Sequence, residues 1–206
     1  ATPLELSLAT NSLIEKYKKF VKLMHANNCK VIAQIKHGGS KAAYAASIGV
    51  PFLVPSAKEM SPRDIEYGKS MVEKLTPTEM NEFVSNLKGA GNFKVMNQED
   101  IEKVIEQFRD AAERAFKANL DGIEIHAGHG YIISSFLSRA TNLRTDQYGG
   151  SLKNRMRLLD EIIDAIRTKI PRNFPVIVRL DGEEINIKDG LTSTEVCEIA
   201  KHIESR

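Results

Sequence analysis

The chain is 206 residues long, 42% hydrophobic and 27% charged, a composition ordinary for one globular domain. Its 29 basic and 27 acidic residues leave a net charge of +2 with no Lys/Arg cluster, so no nucleic-acid partner is expected. No run of about 18 apolar residues exists for a spanning helix, and Ala1 to Thr10 lacks the basic start and apolar stretch of a signal peptide.

In chain order, Leu13, Ile14, Tyr17, Phe20, Val21 and Met24 recur at helical spacing. Ser12 and Glu15 offer a capping box, and Asn28 is a stop. Val31 to Ile35 is short, apolar and β-branched, and reads as a buried strand. From 37 to 96 the pattern loosens among many Gly and Pro residues. That stretch is expected to be a long loop or insertion, with a short helix around Pro77 to Leu87.

Regularity returns at Asn97, which caps a helix with Ile101, Val104, Ile105, Phe108, Ala112 and Ala115 on one face. Ile123 to His126 reads as a second strand, followed by a loop bearing glycine and serine. A helix runs from about Ser151 to Lys169, then a strand over Val176 to Leu180, then a helix starting near Thr192-Ser193. Strands alternating with helices imply a parallel α/β layer. Three strands alone leave sheet surface and edges open, which raises the expectation of a homo-oligomer. Cys29 and Cys197 form no CxxC pair. Two isolated thiols read as buried filler in a reducing compartment, so a cytoplasmic protein away from membranes is expected.

The strands are apolar except for Gln34 and His37, for Glu124, His126, His129 and Tyr131, and for Arg179 and Asp181. These groups gather at the C-terminal ends of the strands, where parallel α/β folds place ligands. Each also has a plain structural reading. Gln34 can satisfy a backbone group, a strand histidine can be a hydrogen-bonded core residue, and Arg179 can be the ion-pair partner of Glu124. His126, His129 and Tyr131 together suit polarising a carbonyl oxygen and supplying a proton. A zinc site would need a third ligand such as His37, and no metal is expected. A hydrolase using either histidine as base lacks an evident nucleophile.

The segment from Gly122 to Arg157, GIEIHAGHGYIISSFLSRATNLRTDQYGGSLKNRMR, closely resembles the signature of the Old Yellow Enzyme family of FMN-dependent NADH:flavin oxidoreductases, in its 2,4-dienoyl-CoA reductase-like branch. AQIKHGG looks like that family's third barrel strand, Pro55-Ser56-Ala57 resembles a motif in the following loop, and VIVRL looks like the fifth strand. The resemblance implies a single, incomplete (β/α)₈ TIM barrel over 1–206, from about strand three to the helix after strand five.

The family also implies roles. Gln34 would meet the pyrimidine edge of FMN, and Arg179 would sit near its N1 and C2 oxygen. His126 and His129 would bind the carbonyl oxygen of an α,β-unsaturated carbonyl compound, and Tyr131 would donate a proton. NADH or NADPH would be the reductant of this ene-reductase chemistry. Arg144, Asp146, Tyr148, Gly149, Gly150, Asn154 and Arg155 would be structural, with Asp146 in a network with Arg144 and Arg155. The sequence departs from relatives at Lys36, where many have tryptophan, at Ser40, at Asp181, where a small residue is common, and in a longer segment before Asn97. A competing expectation is a truncated, non-catalytic barrel fragment serving folding or association.

Overall fold

A computed structural model describes residues 6–42, 49–57, 76–77 and 93–206. The helix expected around Pro77 to Leu87 lies almost wholly outside them. Helix α1 spans Ile14–Ala26, preceded by a 3₁₀ turn at Asn11–Leu13. The Ser12 hydroxyl meets Thr10 rather than the helix backbone, so the capping box expected with Glu15 does not form. The helix ends where Asn28 turns left-handed, at φ 57°, a conformation asparagine tolerates better than most residues.

Strands β1 (Ile32–Ile35), β4 (Gly122–Ala127) and β5 (Val176–Leu180) form one parallel sheet in the order β1-β4-β5. Two further strands, β2 (Phe52–Val54) and β3 (Phe93–Val95), pair parallel to each other within the stretch expected to be loop. Each is three residues long, too short for any periodicity to announce it. Phe52 and Phe93 stand opposite in register, with ring centroids 5.3 Å apart.

Helices α2 (Gln98–Lys117), α4 (Leu152–Arg167) and α5 (Ser193–Glu204) begin at side-chain caps. Asn97 and Asp100 exchange backbone bonds in a full capping box, as do Thr192 and Glu195, while Ser151 accepts the Asn154 N–H. Between β4 and α4 lies a short helix, α3 (Ile132–Leu137), every residue of which is buried. Its unbroken apolar and serine content carries no amphipathic signal, so it reads as loop from sequence.

One face of the sheet is the core. Ile35, Ile123, Ile125 and Ala127 pack with Ile101, Val104, Phe108, Leu158, Leu159, Ile162 and Ile166 of α2 and α4. Each fully buried aliphatic side chain contributes about 1.5–3 kcal/mol of transfer free energy, and this layer holds the strands in place. Both cysteines are exposed, against the expectation of buried filler. Cys29 lies in the turn after α1 and Cys197 lies on α5 away from Ile199.

Candidate active site

Strand alternation sends neighbouring residues to opposite faces. In register, Gln34 stands beside Glu124, and Glu124 beside Ile177. His126 stands beside Arg179. Gln34, Glu124, His126, Ile177 and Arg179 therefore share the face turned away from the helices. This face is polar where the other is apolar, and it also exposes Ile32 and Ile177.

Gln34 donates an amide N–H to the Glu124 carboxylate. Arg179 is exposed and makes no ion pair or hydrogen bond among the described residues, so the pairing with Glu124 offered as its plain reading does not occur. An amide that both donates and accepts thus lies on the same face as an uncommitted guanidinium.

His126 closes this face at the end of β4 and is 3% exposed. Its ring centroid lies 4.9 Å from that of His129 and 4.8 Å from that of Tyr131, both edge-on. The three residues expected to carry the chemistry are therefore together. The Gly128 N–H donates to His126 Nδ1 at 3.2 Å, which leaves Nε2 to carry the proton in the neutral ring. Burial, then the neighbouring His129 and Arg179, lowers the His126 pKa and favours that neutral form. The result is a neutral N–H donor with a defined tautomer. Tyr131 is the N-cap of α3, and Lys36 Nζ lies 5.1 Å from the centre of its ring.

The loop after β4 is tied down from several sides. The Asp181 carboxylate accepts the His129 backbone N–H through both oxygens at 2.8 Å and the Ser134 hydroxyl at 3.1 Å. Lys41 Nζ donates to the His129 carbonyl at 2.7 Å. His37 keeps its ring low in pKa through burial, its Nδ1 accepts the Gly39 N–H, and its carbonyl accepts the Ile132 N–H. Asp181 stands out in the sequence as a strand-end carboxylate and a departure from relatives, but its tie to His129, like that of Lys41, depends on contacts between loops of different strands. The glycines beside His129 were the available signal.

The downstream motif is structural, with one correction. Arg144 pairs with Asp146 at 2.5 Å and donates to the carbonyls of Pro55 and Met96, joining the motif to β2 and β3. Ser56 accepts the Leu143 N–H. Arg155 does not join Asp146: it is buried and pairs with Glu195 at 2.6 Å while donating to the Leu137 and Gly150 carbonyls. Glu195 comes from the α5 cap, a partner 40 residues away that local sequence does not reveal. Tyr148 donates to Glu161 at 2.9 Å.

Among the described residues no group of three or more His, Cys, Asp or Glu side chains is arranged to hold a metal ion. The hydroxyls of Ser134 and Ser135 are engaged by Asp181 and the Ile132 carbonyl, not by either histidine, so these two serines form no nucleophile pair with His126 or His129. No helix among these residues is long and apolar enough to cross a membrane.

All 206 residues match the model of the NADH:flavin oxidoreductase / NADH oxidase family. An NADH:flavin oxidoreductase of Gibberella zeae is 35% identical over 185 residues, covering 89% of this chain and 42% of the relative. An NADPH dehydrogenase of Halalkalibacterium halodurans is 38% identical over 183 residues, covering 89% of this chain and 44% of the relative. The Old Yellow Enzyme from Pichia sp. AKU4542 superimposes with a TM-score of 0.76 at 27% identity, over 97% of this chain and 49% of that one. The chain thus spans less than half the length of these relatives, and its parallel strands and helices form part of their (β/α)₈ barrel. By sequence along its whole length and by fold, the chain belongs to the NADH:flavin oxidoreductase / NADH oxidase family.

Proposed function

We propose that the protein uses FMN and NADH or NADPH to reduce the C=C bond of α,β-unsaturated carbonyl compounds. The observation that carries this reading is the His126–His129 pair beside Tyr131. His126 offers a neutral Nε2–H, and His129 lies close enough for both rings to reach one carbonyl oxygen. Two donors aimed at that oxygen lower the cost of the negative charge that develops on it when the β-carbon is reduced. The Tyr131 hydroxyl makes no hydrogen bond among the described residues and is the proton source for the α-carbon.

The sheet face suits FMN by its donor set. A flavin pyrimidine edge presents an N–H between carbonyl oxygens, which the Gln34 amide can match with both donor and acceptor. Arg179 supplies a fixed positive charge against an electron-rich ring. FMN would supply the hydride; the residues of this chain orient the ring, hold the carbonyl and deliver the proton. Because His126 is pushed toward its neutral form, the ring that accepts from Gly128 at Nδ1 and donates from Nε2 persists below the usual histidine pKa of about 6.5.

The test uses the full-length FMN-bound protein, following NADH or NADPH oxidation together with formation of cyclohexanone from 2-cyclohexen-1-one. His126→Ala is expected to lower kcat/KM by about 10²–10³-fold. Failure of the wild-type protein to form the saturated ketone with either reductant would overturn the reading.

A further inference from the structure

We propose that Asp181 and Lys41 are positioning residues that clasp the backbone of His129 from both ends and so fix where its imidazole stands. The inference rests on the proposed role of His129 in holding a substrate carbonyl.

His129 has φ 59° and is followed by Gly130 at φ 68°. A non-glycine residue in the left-handed region is strained and persists only where its surroundings impose it. The surroundings here are specific. Asp181, directly after β5, takes the His129 N–H through both carboxylate oxygens at 2.8 Å. Lys41, in the 3₁₀ turn after β1, takes the His129 carbonyl at 2.7 Å. The loop of the central strand is thus gripped by groups from the strands on either side of it.

The flanking glycines make room for the two grips. A Cβ at Gly128 would meet Asp181 Oδ1 at 2.8 Å, and one at Gly130 would meet Lys41 Nζ at 2.9 Å. Both glycines of the HAGHG segment thereby acquire a reason. Ser134 completes the arrangement, accepting the Gly130 N–H at 3.2 Å while donating to Asp181. Without the clasp the turn can relax toward ordinary φ, which swings the His129 ring away from His126. Asparagine at 181 keeps one oxygen acceptor for the His129 N–H, whereas alanine keeps none.

The experiment takes the full-length FMN-bound protein and compares Asp181→Ala, Asp181→Asn and Lys41→Met, each with His129 present and in a His129→Gly background. Two readouts are followed: exchange of the residue-129 amide hydrogen, and kcat/KM for 2-cyclohexen-1-one. Asp181→Ala is expected to speed exchange of the His129 amide by about tenfold or more and to lower kcat/KM by about tenfold. Asp181→Asn is expected to stay within about twofold of wild type in both. Lys41→Met is expected to lower kcat/KM about threefold with normal folding, so the clasp remains testable if Asp181→Ala proves unstable. In the His129→Gly background neither alanine nor methionine is expected to change the residual rate by more than about twofold, since no ring remains to be placed. An unchanged His129 amide in Asp181→Ala, or equal losses in both backgrounds, would overturn the clasp. If no enone is reduced at all, the functional reading fails while the amide exchange still decides the clasp.

Discussion

The two faces of the β1-β4-β5 sheet are made from alternate residues of the same strands, yet they are held by opposite means. Toward the helices, Ile123, Ile125 and Ala127 are buried against α2 and α4, where any apolar side chain of suitable volume is stabilising. Toward the site, Gln34 stands in register with Glu124 and His126 with Arg179, and a polar group there needs a particular partner, as Gln34 finds in Glu124. The first face gives the chain its stability, and the second is where that stability is used to hold polar groups close together. A single-residue step along β5, from Val178 to Arg179, passes from one regime to the other.

The contrast is sharpest in unfolding experiments on the flavin-free full-length protein. Ile162, fully buried in α4, should show the largest effect: Ile162→Ala is expected to cost about 2–5 kcal/mol by denaturant titration. A cost under about 1 kcal/mol would mean that the helix layer is not the main source of stability.

At the N-terminal end of β4, Asp121 contributes at an intermediate level. It accepts the Val31 N–H at 2.8 Å and meets His25 at 2.7 Å and Lys30 at 2.9 Å, tying the end of α1 to β1 and β4. Burial alone would raise its carboxyl, but these three partners outweigh that and hold it well below the usual carboxylate range. A group depressed in the folded state stabilises above its unfolded pKa, about 3.9 for Asp, and that contribution drains away as pH falls toward the folded value. Asp121→Asn is therefore expected to cost about 1–2 kcal/mol at pH 7 and progressively less below about pH 4, read as a converging pair of stability–pH curves. Curves that stay parallel through the acid range would remove Asp121 from the account.

Arg179→Ala should be the mildest change for folding. The guanidinium has no partner among the described residues, so the expected stability cost is about 0.5 kcal/mol or less. Its effect should appear in flavin retention instead, as a fall of about tenfold or more in FMN affinity by fluorescence titration. A large stability loss with unchanged FMN affinity would reverse the assignment of the two faces.

How much of this was legible depended on whether the signal was local. The caps at Asn97 and Thr192, the apolar face of α2, and the strand Val176–Leu180 are written in spacings of a few residues, and the structure reproduces them. Helix α3 was missed because it is buried all round, and β2 and β3 because three residues show no period. At the site, His126, His129 and Tyr131 stand within six positions of one another and could be grouped from their order alone. The partners of Arg155 and the role of Asp181 could not, since Glu195 and His129 are separated from them by 40 and 52 positions.

The sequence by itself determined the alternation of strands and helices, the apolar stripes that pack them, and the resemblance that points to a flavin-dependent family. These follow from side-chain periodicity and short-range backbone bonding, which act within a turn or two of chain. Tertiary structure alone decided that Gln34 engages Glu124 while Arg179 has no partner among the described residues, that Gly128 sets the His126 tautomer, and that Asp181 and Lys41 meet across the His129 peptide. Those contacts depend on strand register and on the approach of loops from different strands, and a buried polar group takes whichever partner that geometry brings within about 3 Å.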